Sequence, residues 1–146
     1  MILLKKNSLL ALAVTPFLSW PAHAQEDNVK ISITINDNKV VTATLEDNQA
    51  AKDFASLLPL TLTLEDFNKT EKISGELPKR LTEDGSPFTP VAGDLAYYAP
   101  WGNLAVFYRD DKHSPGLFKL GAIDSGAEAL TVPGSVSVTL ETLAQP

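Results

Sequence analysis

His113 is the one histidine beyond residue 24, and it closes the run Asp110-Asp111-Lys112-His113. Two acids and an imidazole so close together raise the question of a metal. One imidazole cannot build a multi-histidine zinc site, and acids are ordinary in a polar turn. A Ser-His-Asp triad would have to use the same ring, and no G-x-S-x-G elbow is available to present a serine. Glycine-rich phosphate loops are missing as well, and the absence of cysteine removes thiol chemistry and disulfides. No catalytic residue, metal ligand or cofactor is therefore expected. What remains are Glu71 and Arg109, charged groups able to stand at the mouth of a pocket or, more plainly, to keep loops solvated.

A second run, Gly121-Ala-Ile-Asp-Ser-Gly-Ala-Glu128, resembles the signature of the aspartic proteases. Those enzymes pair two aspartates that share a proton. Chain order opposes this, because only twenty residues follow Gly126, too few to build the rest of such a domain. A local explanation uses the same letters: Ser125 caps a helical turn and Glu128 reaches back to it, a capping box.

The aromatic residues are concentrated in one place. GDLAYYAPWGNLAVFY, from Gly93 to Tyr108, holds five of the eleven aromatics of the chain. Strand alternation sends Leu95, Tyr97 and Ala99 to one side and Ala96 and Tyr98 to the other. It likewise separates Leu104, Val106 and Tyr108 from Ala105, Phe107 and Arg109. One face can fill a core; the other is left as a covered surface or an apolar pocket.

Residues 1–24 have the make-up of a secretory signal peptide: Lys5 and Lys6, the apolar run SLLALAVTPFLSW, then Ala22-His23-Ala24. The apolar run falls short of the ~20 residues that a membrane helix needs. Cleavage is expected after Ala24, leaving residues 25–146 as one domain that is periplasmic or, alternatively, secreted, with no membrane attachment. That domain carries ten basic and eighteen acidic residues, a net charge of −8. Such a surface repels phosphate backbones, so nucleic acid is not an expected partner.

The remaining pattern is one of short strands. Val29–Ile35 alternates strictly, Asn36-Asp37-Asn38 supplies turn residues, and Val40–Leu45 returns as a hairpin arm. Asn48 is placed to cap a helix over 49–58 that Pro59 ends. Leu60–Leu64 alternates again. Residues 66–92 predict long loops with a short strand near Glu71–Ile73. Strands are expected at 95–99 and 104–109, an extended segment at 117–123, one helical turn at 126–130 and a last strand at 136–140. Many short strands with one or two short helices predict an all-β closed barrel.

On GDLAYYAPWGNLAVFY, GLFKLGAID, LPLTLTLEDFNKTEKI and LPKRL, the chain resembles the cyclophilin-like superfamily, and within it the bacterial cyclophilin-like proteins of unassigned function. The resemblance covers most of 29–140 and implies a barrel of about eight strands whose ends short helices cover. Prolyl isomerases of that superfamily use a phenylalanine-histidine-arginine motif, which does not occur here; Arg80 and Arg109 lie outside any such pattern. Laying Gly102–Val106 on the isomerase groove strand puts Leu104 where a glutamine belongs and Val106 where a phenylalanine belongs. Tyr98, Leu104 and Val106 would then face the groove, with Trp101 at its rim. Rotating an X-Pro bond means lowering a barrier of about 18–20 kcal/mol with directed polar groups, and those groups are missing. The expected function is a non-catalytic binding module for a peptide segment or small apolar ligand, using Tyr98, Trp101, Leu104, Val106, Arg109 and Glu71. The alternative is a degenerate prolyl isomerase.

Overall fold

A computed structural model describes residues 11–16 and 28–144 of the chain. The expected cleavage point after Ala24 lies outside the described residues. Among those described, no helix is long and apolar enough to cross a membrane.

Eight antiparallel strands close into a barrel: β1 (Lys30–Ile35), β2 (Lys39–Leu45), β3 (Leu60–Phe67), β4 (Glu71–Glu76), β5 (Asp94–Tyr98), β6 (Asn103–Phe107), β7 (Leu117–Ile123) and β8 (Val136–Thr142). Their order around the barrel is β1-β2-β7-β5-β6-β4-β3-β8, and β8 returns to β1. Among the described residues every strand and the buried core lie between Lys30 and Thr142.

The strict alternation of β1 and β2 has the predicted result. Ile31, Ile33, Ile35, Val41, Ala43 and Leu45 point inward, and Asn36 and Asp37 take left-handed angles (φ 50° and 60°) that short polar residues tolerate. The helix α1 (Gln49–Ala55) buries Ala50, Ala51 and Phe54. Asn48 caps it as expected, accepting from Ala51 N at 2.8 Å, and Asp84 adds a second cap by accepting from the Gln49 and Ala50 amides. The helix stops before the expected residue 58.

The segment expected to be mostly loop is more ordered than its composition indicates. β3 runs on to Phe67, and Asn68 and Lys69 turn the chain with φ near 55° into a full strand β4. Polar alternation hides this hairpin, because its outer residues Glu65 and Glu71 read like loop charges. The capping box at Ser125 does not form. The 3-10 turn Ala127–Leu130 starts from Gly126 at φ 89°, with no side-chain cap, because the left-handed glycine displaces Ser125 from the capping position. Asp124 is instead a structural residue. Its carboxylate accepts from Thr42 Oγ1 (2.8 Å), Thr44 Oγ1 (2.6 Å) and Lys30 Nζ (3.2 Å), which pins β7 to β2 and β1. Gly121 allows that contact: a Cβ there would run into the Thr44 carbonyl oxygen.

One barrel end is sealed by a charge. Lys72 on β4 is completely buried, and its ammonium donates to Val132 O (2.7 Å), Gly134 O (2.6 Å) and the Asp66 carboxylate (3.0 Å). All three N–H groups are therefore spent, the condition for burying a lysine. Tyr108 closes the cluster by donating to Asp66 at 2.8 Å. We expect Lys72→Ala to cost about 2–4 kcal/mol of unfolding free energy through lost packing and two stranded carbonyls. Lys72→Met should recover part of that by refilling the space. Urea unfolding of both variants checks this; wild-type stability in either would show that the lysine locks nothing.

Candidate functional site

The β5–β6 hairpin has two apolar faces. Pairing of Tyr97 with Leu104 and of Leu95 with Val106 puts these four residues into the barrel core, all at 2% exposure or less. Pairing of Tyr98 with Asn103 and of Ala96 with Ala105 sends the intervening residues outward. There they meet residues from neighbouring strands. Glu71 lies opposite Phe107 and Ile73 opposite Ala105 across β4–β6; Phe67 lies opposite Glu71 across β3–β4; Leu117 lies opposite Tyr98 across β5–β7.

These outward residues line a cleft of about 360 Å³, within the usual range for small-ligand sites. Its floor is Ile73, Ala105, Phe107 and Leu117, a satellite core under Phe88 from the long loop. Three rings stand at its edge. Trp101, half exposed at 52%, meets Tyr98 edge-on at 5.2 Å and Phe67 edge-on at 5.4 Å.

The polar wall comes from Glu71 on β4, Asn103 on β6 and the loop after β6. That loop is held in place: Thr70 O accepts from the Tyr108 and Arg109 amides, and Asp111 N donates to Pro90 O at 3.1 Å. Asp111 itself accepts from Thr70 Oγ1 (2.9 Å) and from Lys112 N (2.7 Å). His113 sets its Nδ1 2.9 Å from Phe88 O. Among the described residues no three metal-ligating side chains converge.

Of the residues expected at a binding site, Tyr98, Trp101 and Glu71 border this cleft. Leu104 and Val106 do not; both are buried in the barrel core. The isomerase overlay put them on the face of Tyr98, but Tyr98 pairs with Asn103, so Leu104 and Val106 take the opposite face. Arg109 is exposed and lies outside the cleft lining. Arg80 is also elsewhere, donating to Ala99 O at 2.9 Å. Asn103, Phe107 and Phe67 went unnoticed as cleft residues. Sharing the outward parity of Tyr98 was the one signal for the first two.

A model of the cyclophilin-like family matches residues 33–141. The chain belongs to the cyclophilin-like family. No curated protein matches it. Among solved structures, this cyclophilin-like chain is similar to a hypothetical protein of Archaeoglobus fulgidus determined in solution. The two superpose with a TM-score of 0.58 at 17% identity, over 80% of this chain and 96% of the other. At that identity the likeness concerns the fold.

Glu71 is the titratable group most altered by this environment. Burial, and secondarily the negative charge of Asp111, push its carboxyl up from an ordinary 4.5 to about 7, against a smaller pull from the Thr70 hydroxyl. The folded protein thus holds this proton more tightly than the unfolded chain does. The stability it contributes is complete below pH about 4.5 and is lost as pH rises through about 7. Glu71→Gln, neutral at every pH, should match wild type in Tm near pH 4 and exceed it at pH 8. Thermal unfolding across that range checks the crossover, and parallel curves would refute it.

Proposed function

We propose that this cyclophilin-like barrel is an exported, non-catalytic binding module that receives a peptide segment or small apolar ligand in the cleft beside Tyr98 and Trp101. The observation that carries the reading is the second apolar face of the β5–β6 hairpin. A soluble strand pair normally turns a polar face to water, whereas here the outward face carries Ala105 and Phe107, nearly buried, as the floor of a hollow with three aromatic side chains at its edge. A half-exposed tryptophan stacked edge-on between two other rings offers apolar area with little side-chain entropy to lose.

The placement of the arginines supports a role without chemistry. The isomerase reaction needs a directed cation at the prolyl nitrogen, and Arg80 and Arg109 both stand outside the cleft lining. The signal-like composition of residues 1–24 supports export, with the mature chain starting at Gln25 in the periplasm.

In residues 25–146, Trp101 is the only tryptophan, so its emission reports the cleft directly. Titration with proline-containing peptides and small aromatic compounds should shift or quench that emission. Trp101→Ala and Tyr98→Ala should abolish binding; for the half-exposed Trp101 the stability cost should stay near about 1 kcal/mol. Prolyl cis/trans exchange in the same peptides should run at the rate of buffer alone. Emission unchanged by every compound would sink the binding reading, and an accelerated exchange lost in Arg80→Ala or Arg109→Ala would replace it with the isomerase.

A further inference from the structure

Asn103 is the cleft residue with a buried acceptor left unspent. It is only 3% exposed, and its Nδ2 donates to Ser74 O at 3.1 Å. Because a backbone carbonyl can only accept, that bond fixes the orientation of the amide. Its Oδ1 is left buried with no hydrogen-bond partner among the described residues. An unmet buried acceptor is costly, and a donor brought by a ligand would remove that cost.

Glu71 and Asp111 add two carboxyl groups to the same wall. Among the described residues neither takes part in an ion pair. The exposed Lys112 also borders the cleft, yet its ammonium comes within 4 Å of neither carboxylate. The rings contribute the same sign, since the faces of Trp101, Tyr98 and Phe67 are electron-rich. Carboxylates, an unpaired amide oxygen and aromatic faces together suit a positive group attached to an apolar body.

We propose that the cleft selects an organic cation, an ammonium on an apolar stem, with the ammonium on Asn103 Oδ1, Glu71 and Asp111 and the stem against Tyr98, Trp101 and Phe107. This rests on the reading of the cleft as a binding site and specifies what enters it. A free amine and the lysine side chain of a peptide share this chemistry.

Three probes of nearly equal shape separate charge from hydrophobic contact: 2-phenylethylamine, 2-phenylethanol and phenylacetate. Binding to residues 25–146 is followed by calorimetry and by the indole N–H resonance of Trp101. The amine should bind at least about tenfold tighter than the alcohol, and the carboxylate most weakly. Glu71→Gln and Asp111→Asn should each weaken the amine several-fold more than they weaken the alcohol. Acetyl-Ala-Lys-Ala-amide, compared with its norleucine counterpart, distinguishes the two sources: preference for the lysine peptide over the free amine assigns the cation to a peptide, and the reverse assigns it to a small amine. Alcohol and amine binding equally, or amine binding indifferent to both substitutions, overturns the cation while leaving the cleft a binding site. If no probe and no peptide moves the Trp101 resonance at millimolar concentration, the binding reading falls and the cation with it.

Discussion

The register between β5 and β6 is the constraint on which the remaining structure depends. Tyr98 pairs with Asn103 because the chain reverses tightly after it, with Gly102 N donating to Tyr98 O at 2.8 Å. Gly102 sits at φ 64°, where a Cβ would be strained and would press on Glu76. With that turn set, Tyr97 and Leu104 are committed to the barrel interior, and Tyr98, Asn103, Ala105 and Phe107 to the outer face. A shift of one residue would exchange the two sets, emptying the core and filling the hollow.

The molecule separates its two kinds of polar chemistry by the same alternation. On β4, Lys72 faces inward and spends all three hydrogens on two carbonyls and Asp66, so a buried charge becomes a closure for the barrel end. Its neighbour Glu71 faces outward into the cleft, beside Asp111, and burial pushes its carboxyl up to about 7. One group is satisfied and therefore structural. The other is incompletely satisfied, the condition in which a side chain is available to a ligand.

The likeness to the Archaeoglobus protein at 17% identity shows that this fold is reached by a largely different sequence. A closed antiparallel barrel asks for inward apolar residues at period two, turn residues at the reversals and a few close approaches such as Gly121 against β2. Those demands leave the outward residues free to differ, and function resides in them. The family therefore identifies the scaffold, while Tyr98, Trp101, Glu71 and Asn103 carry the character of this particular cleft.

Much of the fold was legible in the residues alone. Strict alternation at 29–35, the extended segment at 117–123, the Asn-Asp turn and the Asn48 cap are local effects, set by side-chain parity and backbone preference within a few positions. The β3–β4 hairpin was legible only in part: strands at 60–64 and near 71–73 were expected, but their extension to Phe67 and Glu76 rests on pairing with each other and with β6, far along the chain. The Ser125 cap failed for a related reason: Asp124 is tied to the neighbouring strand β2, and Gly126 takes a left-handed angle that starts the 3-10 turn one residue later. The candidate cleft lay between these cases. Local pattern determined that the aromatic hairpin has two apolar faces, but not which face the barrel would enclose. That depends on hydrogen bonds among β4, β5, β6 and β7, residues far apart in the chain whose juxtaposition exists only once the barrel has closed.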